Sequence, residues 1–546
     1  MVFRRRTGPG RRPRLPRAAD KGFTWLDGRL PASSAGKLLR KAFPDHWAFL
    51  LGELALYSLV VLVLTGVVLT LFFDPGMTES AYHGSYAPLH GTRMTAAYAS
   101  TLTISFDVRG GLLLRQIHHW AALTFLASIG VHMLRIFFTG AFRRPREGNW
   151  MIGLTLFLLA LLEGFCGYSL PDDLLSGTGL RTAATIMGSI PVVGTYLSFF
   201  AFGGEFPGQD IIPRLYVLHI LLVPGILIAL VTLHLILVVH LKHTQWRGPG
   251  RANRNVIGQP MFPQWLTKST GLLIILTAVF AVLGALGQVN PVWNYGPFQA
   301  DQVSTDAQPD WYVGFLEGAL RLMPPWETNL WGHTVMWNVF LPAVVLPGVL
   351  FAVLYAYPFL ERWVTPDRGE RHLCDRPREA HTRTGLGVAG IAFYAVLLLA
   401  GGNDVMAFVF DLSLNTLTWV LRAALVLVPP LSFLLTKWLC LALQHRDRER
   451  LTEGDETGWV RQSAYGDLSE GHQELPAAER HTLLSRRTPR PLEPPPGVPV
   501  ASLSRLRRLR LSVSRWYYRD QVELPAAGPR KEEFATASER AGADGP

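Results

Sequence analysis

Cysteine is nearly absent from this chain. Only Cys166, Cys374 and Cys440 occur among 546 residues, and no two are close in sequence. No CxxCH is present to hold a haem covalently, and no cysteine–histidine cluster has the spacing of a zinc or iron–sulfur site. Charge is the second shortage. Only 17% of the residues are charged against 49% hydrophobic, and the charges crowd into the first 45 and last 100 positions. That is too apolar for a soluble chain and too charged for one embedded throughout, so a membrane part must occupy the middle. A secretory leader is not expected either: Arg4-Arg5-Arg6 looks like a twin-arginine start, but no short apolar region or cleavage site follows it. No internal repeat is visible.

What is present is a series of long apolar runs. A bilayer core needs about 20 apolar residues per helix. Eight stretches reach that length, at 47–73, 113–139, 150–168, 215–240, 270–289, 333–357, 386–403 and 415–443. The seventh is the weakest, because Gly401-Gly402-Asn403-Asp404 interrupts it. The fold class expected is therefore an all-α membrane protein with eight transmembrane helices.

Arginine and lysine in short loops mark the cytoplasmic side of a membrane. Twelve precede the first span, from Arg4 to Lys41. Arg143, Arg144 and Arg146 follow the second; Lys242, Arg247, Arg251 and Arg254 the fourth; Arg362, Arg368, Arg371, Arg376 and Arg378 the sixth. The alternate loops lean acidic, with Asp172, Asp173, Glu205 and Asp210 in one and Asp301, Asp306, Asp310 and Glu327 in another. Both termini are thus expected in the cytoplasm. Residues Ser33 to Phe49 place Leu38, Leu39, Phe43 and Trp47 among Lys37, Arg40 and Lys41, the pattern of a helix lying on the inner surface. Beyond Gln444 the hydrophobic pattern ends. A proline-rich run, Pro489 to Pro499, and the basic Arg505, Arg507, Arg508 and Arg510 read as a cytoplasmic tail, partly disordered, whose arginines suit anionic lipid better than nucleic acid.

Ionisable residues inside a membrane helix are functional hypotheses by default. The second span carries His118, His119 and His132, the fourth His219 and His234. At about 100° per residue, His118 and His132 return to within about 40° of one face, whereas His119 turns about 140° away from His132. His219 and His234 are one residue further apart and offset by about 60°; Pro224 between them is the residue that would absorb the difference, by kinking or retwisting the helix. Both spans run from outside to inside. His118 and His219 therefore share an outer level, and His132 and His234 a deeper one. Histidines from two helices at matching depth are the arrangement that axially ligates haem. Two irons would lie about 21 Å apart along the axis. A lone histidine in a span is more often a packing residue or part of a proton relay, but four at two matched depths outweigh that reading.

Glycine supports the same geometry. Gly52 and Gly66 in the first span, and Gly153 and Gly167 in the third, repeat the fourteen-residue step of His118 and His132. Helix packing is the ordinary reason for glycine in a span, yet two pairs at this spacing suit porphyrins held inside a four-helix bundle. Arg115, Arg135 and Arg214 flank the histidines and could pair haem propionates. Snorkelling to the interface is the other reading, about as good for Arg135.

These residues resemble the cytochrome b family of respiratory quinol:cytochrome c reductases over roughly residues 35–445. The motifs carrying the resemblance are Arg115-Gln-Ile-His118 with His132, Gly167-Tyr168-Ser169-Leu170-Pro171, Gly188-Ser-Ile-Pro191-Val-Val-Gly194 and Pro309-Asp310-Trp311-Tyr312. The long charged tail and the aspartate of the last motif are similar to the actinobacterial branch. The resemblance implies two non-covalent b-type haems, with His118 and His219 on the outer iron and His132 and His234 on the inner, in a bacterial plasma membrane translocase. It implies that menaquinol is oxidised near the outer face, between Gly167–Pro171 and Pro309–Tyr312. One electron would pass to a Rieske iron–sulfur subunit, the other across the membrane to an inner quinone site. The other implied partners are a dihaem cytochrome c subunit, a second copy of the complex in a homodimer, and a terminal oxidase. Asp310 is implied as acceptor of a quinol proton, though it is one methylene shorter than the commoner glutamate; Tyr312 is implied as a contact to the quinol headgroup. Pro-Asp before a turn is also ordinary helix-cap chemistry. At the inner end, His240 and Lys242 are equally readable as proton donors or as positive-inside residues.

The expected organisation is a basic N-terminal segment with a surface helix (1–45), a dihaem four-helix bundle (46–245), a C-terminal transmembrane part with the outer quinol-site loop (246–445) and a charged tail (446–546). Two other readings share the histidines: a dihaem membrane anchor of another dehydrogenase, and a haem-free transporter using them as a proton relay. The first would not be expected to have eight spans or the Pro-Asp-Trp-Tyr loop. The second would be marked by discontinuous helices, for which Pro224 alone is weak support.

Overall fold

The computed structural model describes residues 39–302, 308–486 and 488–525. Eight of its helices are long and apolar enough to cross a membrane: α1 (Trp47–Leu69), α2 (Gly111–Phe138), α3 (Glu147–Ser169), α4 (Ile211–His240), α5 (Met261–Leu286), α6 (Trp337–Val364), α7 (Pro377–Gly401) and α8 (Leu414–Thr452). A further helix, α9 (Arg505–Tyr518), lies in the C-terminal segment. Little of each span is buried inside the protein, and the outward faces are apolar, as along Leu431, Leu434, Leu435 and Trp438 of α8. Lipid rather than water suits such a surface.

α1 packs along α2, α2 against α3 and α5, and α3 against α4 and α6. α7 and α8 form a second pair, with the short helix Gly314–Leu322 laid on α7. That approach needs small residues: a Cβ at Gly318 would stand 1.8 Å from the Leu397 carbonyl oxygen, and one at Gly401 2.5 Å from that of Gly314. The glycine that weakens the seventh span in sequence is thus the one that lets the loop helix seat.

Alternate loops gather at opposite ends. At the basic end, Ala42–Phe43 pairs with Gln259–Pro260, Gln245–Trp246 pairs with Leu373–Cys374, and Arg146 donates to the carbonyl of Arg371. The described part of the expected surface helix therefore leaves helical geometry after Leu39: from Ala42 the chain is extended, and Pro44 follows the paired strand. The rest of Ser33–Phe49 lies outside the described residues.

α7 starts nine residues earlier than its apolar run, because its first-turn charges are neutralised internally. Arg383, 1% exposed, meets Glu361 at 3.0 Å and Asp375 at 2.9 Å. Arg143 and Arg247 also reach Asp375, each at 2.8 Å. Burial alone would raise the Asp375 carboxyl, but these arginines hold it well below the usual carboxylate range. Removing one partner from a buried network strands the others. Arg383→Met is accordingly expected to cost about 3–5 kcal/mol, read as a lowered midpoint of thermal unfolding in detergent; an unchanged midpoint would show the network to be dispensable.

Of the C-terminal segment expected to be partly disordered, the described residues up to 525 include helices and a hairpin; the remainder lies outside the described residues. α8 runs on beyond its apolar stretch to Thr452, a hairpin joins Asp455–Gln462 to Leu468–Gln473, and α9 returns to the end of α6.

Candidate haem and quinol site

Each of the four span glycines faces one of the four histidines. A Cβ built on Gly167 would stand 2.5 Å from Cε1 of His219; on Gly66, 3.3 Å from that of His118. At the other level the distances are 3.2 Å from Gly52 to His132 and 3.8 Å from Gly153 to His234. α1 and α3 run opposite to α2 and α4, so this matching puts Gly66, Gly167, His118 and His219 at one depth and Gly52, Gly153, His132 and His234 at the other.

The rings of His118 and His219 are 6.2 Å apart between centroids. Two imidazoles sharing one metal ion, with metal–nitrogen bonds of about 2 Å, need roughly that spacing. Their outer nitrogens are held. His118 Nδ1 lies 2.9 Å from Thr65 Oγ1, whose own hydrogen goes to the Val61 carbonyl at 2.7 Å. His118 must therefore be the donor, which leaves its Nε2 lone pair bare. His219 Nδ1 meets two acceptors, the Glu163 carboxylate at 3.0 Å and carbonyl at 3.2 Å, with the same consequence. At the deeper level, His132 Nδ1 and His234 Nδ1 are buried without a side-chain hydrogen-bond partner among the described residues, so the outer nitrogens are not held there as they are at the first level. The residues present fit haem ligation.

The fifteen-residue step in α4 is absorbed beside Pro224 by a local change of winding rather than by a kink. Leu218–Leu222 form a π-helical turn, in which Val223 N–H donates to the Leu218 carbonyl. A π turn inserts one residue without advancing the face. Fifteen residues then act as fourteen, matching α2. Pro224 has no N–H to offer the preceding turn, which fits widening just before it.

A cavity of about 480 Å³ opens between α1, α2, α3 and α4 at the acidic end. Gly66, Arg115, His118, Gly167, His219, Asp310 and Tyr312 all border it. Arg115 donates to the Asn290 carbonyl at 2.9 Å, and its Nε has no partner among the described residues. Arg135 stacks over Phe49 at 4.3 Å at the other end of α2. Arg214 is not brought to the cavity. It pairs with Asp210 at 2.9 Å and with the carbonyls of Phe200 and Ala201, half exposed.

Asp310 caps no helix among the described residues: the cap before Gly314–Leu322 is Val313, without a side-chain bond. Its Oδ2 instead accepts from Tyr312 Oη at 3.0 Å, while Oδ1 lies 3.9 Å from His119 Nε2. Tyr312 is held against α3, where a Cβ on Gly164 would come within 2.8 Å of its hydroxyl. Burial, then the neighbouring Asp310, pushes the Tyr312 phenol well above its ordinary value, so it stays a donor. In the loop after α3, burial raises the Asp172 carboxyl to about 7 against a hydrogen bond from Thr95. The Gly188–Gly194 motif forms the sharp turn between two loop helices, where a Cβ on Gly194 would meet the Met187 carbonyl at 2.3 Å.

Thr65 and Glu163 went unread in the sequence, and His119 was weighed there only as a partner for His132 and set aside. The signal for Glu163 was available, since a carboxylate within a span rarely lacks a task; its companion Glu53 accepts from Ser269 at 2.7 Å, tying α1 to α5. At the basic end, His243 was also missed. Its ring packs 4.4 Å from that of Phe43, with Nε2 unpartnered among the described residues, whereas His240 is exposed.

The family described as "Cytochrome b(N-terminal)/b6/petB" matches residues 123–297. The cytochrome bc1 complex cytochrome b subunit of Streptomyces coelicolor is 51% identical over 530 residues, 96% of each chain. The subunit of the same name from Mycobacterium tuberculosis H37Rv is 51% identical over 452 residues, 83% of this chain and 82% of that one. A solved chain titled "Hyperthermophilic respiratory Complex III" shares the fold, with a TM-score of 0.57 at 21% identity, over 76% of this chain and 98% of that one. This chain is a multi-pass membrane protein and belongs to the family of cytochrome b subunits of cytochrome bc1 complexes, the quinol:cytochrome c reductases.

Proposed function

We propose that the chain holds two b-type haems between α2 and α4 and forms the quinol-oxidising site at the acidic end. The observation that carries this reading is the matching of four glycines to four histidines at two depths. When bound, the haems supply a one-electron path between the two membrane faces. His118 and His219 would be the ligands at the acidic end, His132 and His234 those at the basic end, and Arg115 and Arg135 the partners of the propionates.

The chain's own residues do the rest. Asp310 borders the cavity and accepts a proton from quinol at the carboxylate oxygen that Tyr312 leaves open. Tyr312, kept as a donor, orients that carboxylate and contacts the headgroup. The basic end faces the cytoplasm, as the arginine and lysine distribution indicates. Menaquinol as donor, a Rieske subunit and a dihaem cytochrome c as partners, a homodimeric complex and an associated terminal oxidase follow the resemblance to the actinobacterial branch.

Asp310→Asn keeps the volume and removes the base. General bases contribute about 10²–10⁴-fold, so quinol oxidation by the assembled complex is expected to fall at least about 100-fold with haem content unchanged. Unaltered turnover would remove Asp310 from the chemistry.

A further inference from the structure

α9 has three faces. At about 100° per residue, Leu511, Ser514 and Tyr518 fall on one arc, and this arc is fixed to the protein. Ser514 donates to the Val364 carbonyl at 2.7 Å, and Tyr518 meets Thr365 at 2.6 Å. Beside it, Arg510 donates to the Trp363 carbonyl at 2.7 Å, and Tyr517 lies 3.2 Å from Tyr357. Leu506, Leu509, Val513 and Trp516 fall within about 80° on a second arc. Three of them are not covered: Leu506 is 66% exposed, Leu509 56% and Trp516 46%, while Val513 is half-buried. Arg505, Arg508 and Arg515 fill a third arc, also of about 80°, and all are exposed.

The docked arc sets the depth of the helix. It is anchored where α6 ends, and Trp516 stacks on Phe433 of α8, with centroids 6.2 Å apart and planes 12° apart. Around Phe433, Leu431, Leu434 and Leu435 form the outward apolar surface of a span. The apolar arc of α9 therefore continues a lipid-facing surface, at its edge. An apolar arc beside an arginine arc at that depth is the form of an interfacial helix that takes anionic headgroups.

We propose that α9 is a built-in membrane-surface helix whose Leu506–Trp516 stripe enters the lipid and whose Arg505, Arg508 and Arg515 bind anionic phospholipid headgroups. This requires only that the eight helices span the membrane, whichever face is cytoplasmic and whatever the haem content. The sequence already suits these arginines to anionic lipid; the docked arc adds the depth and the apolar face with which they would meet it.

Spin labels at Leu509→Cys and, separately, Arg508→Cys test the depth, in the intact complex reconstituted in phosphatidylglycerol nanodiscs. The native cysteines Cys166, Cys374 and Cys440 are buried. The label at 509 is expected to relax faster with oxygen than with a water-soluble nickel chelate, and the label at 508 the reverse. Both labels favouring nickel would place α9 in water, and both shielded from either reagent would place it under a protein partner; each overturns the proposal. For the headgroups, Arg505→Gln/Arg508→Gln/Arg515→Gln is compared with the unaltered complex by native mass spectrometry in mixed phosphatidylglycerol–phosphatidylcholine. Retained phosphatidylglycerol is expected to fall at least twofold. No change would remove the anionic preference.

Discussion

Replacing His219 by alanine is expected to leave one haem per chain instead of two, with the inner one spectrally unchanged and quinol:cytochrome c turnover lost. His219 and His118 stand 6.2 Å apart with their Nδ1 atoms committed to Glu163 and Thr65, so each offers Nε2 to the space between them. Removing either should empty the same site. His219→Ala alone is ambiguous, since it also strands the buried Glu163 carboxylate. His118→Ala has no such side effect, because Thr65 still bonds to its own helix at Val61. Pyridine haemochrome analysis of both variants should therefore give one haem, and the same one. If His118→Ala removed one and His219→Ala the other, the pairing by depth would be wrong.

The second large effect is expected at Gly167. A Cβ there would lie 2.5 Å from the His219 ring and 3.0 Å from its Nε2. A core that packs like a crystal cannot absorb that overlap without moving the imidazole. Gly167→Ala should thus lose most of the outer haem, nearly as completely as His219→Ala. Gly153→Ala is the internal control, since its Cβ would be in ordinary contact with His234 at 3.8 Å. It should retain the inner haem, with Gly66→Ala and Gly52→Ala, at 3.3 Å and 3.2 Å, between the two extremes. Haem-to-protein ratios across the four variants measure this order directly. Equal losses at Gly153 and Gly167 would mean that the glycines serve helix packing alone.

The histidine levels and the glycine spacing were legible in the sequence because both follow from helical periodicity, which any span obeys. The register of α4 was not, because a π turn is a local change of hydrogen bonding that adds a residue without changing composition. Only Pro224 hinted at it. Asp310 was legible as a residue but not in its setting. Its bonding to Tyr312 and approach to His119 depend on how a loop between α5 and α6 lies on α2. Arg214 illustrates the reverse. Its spacing from His219 suggested a propionate contact, yet Asp210 one turn earlier captures it. The start of α7 at Pro377 was hidden for a similar reason, since a buried arginine looks like a loop residue until Glu361 and Asp375 are placed beside it. The order in the tail depends on contacts to α6, α7 and α8 that sequence periodicity does not contain.

The central claim is that this one chain carries two haems at two depths in the membrane. Pyridine haemochrome quantitation combined with a potentiometric titration of the purified chain tests it most directly. The account predicts two b-type haems per chain, titrating as two separable one-electron components. A single haem, or none, would contradict it.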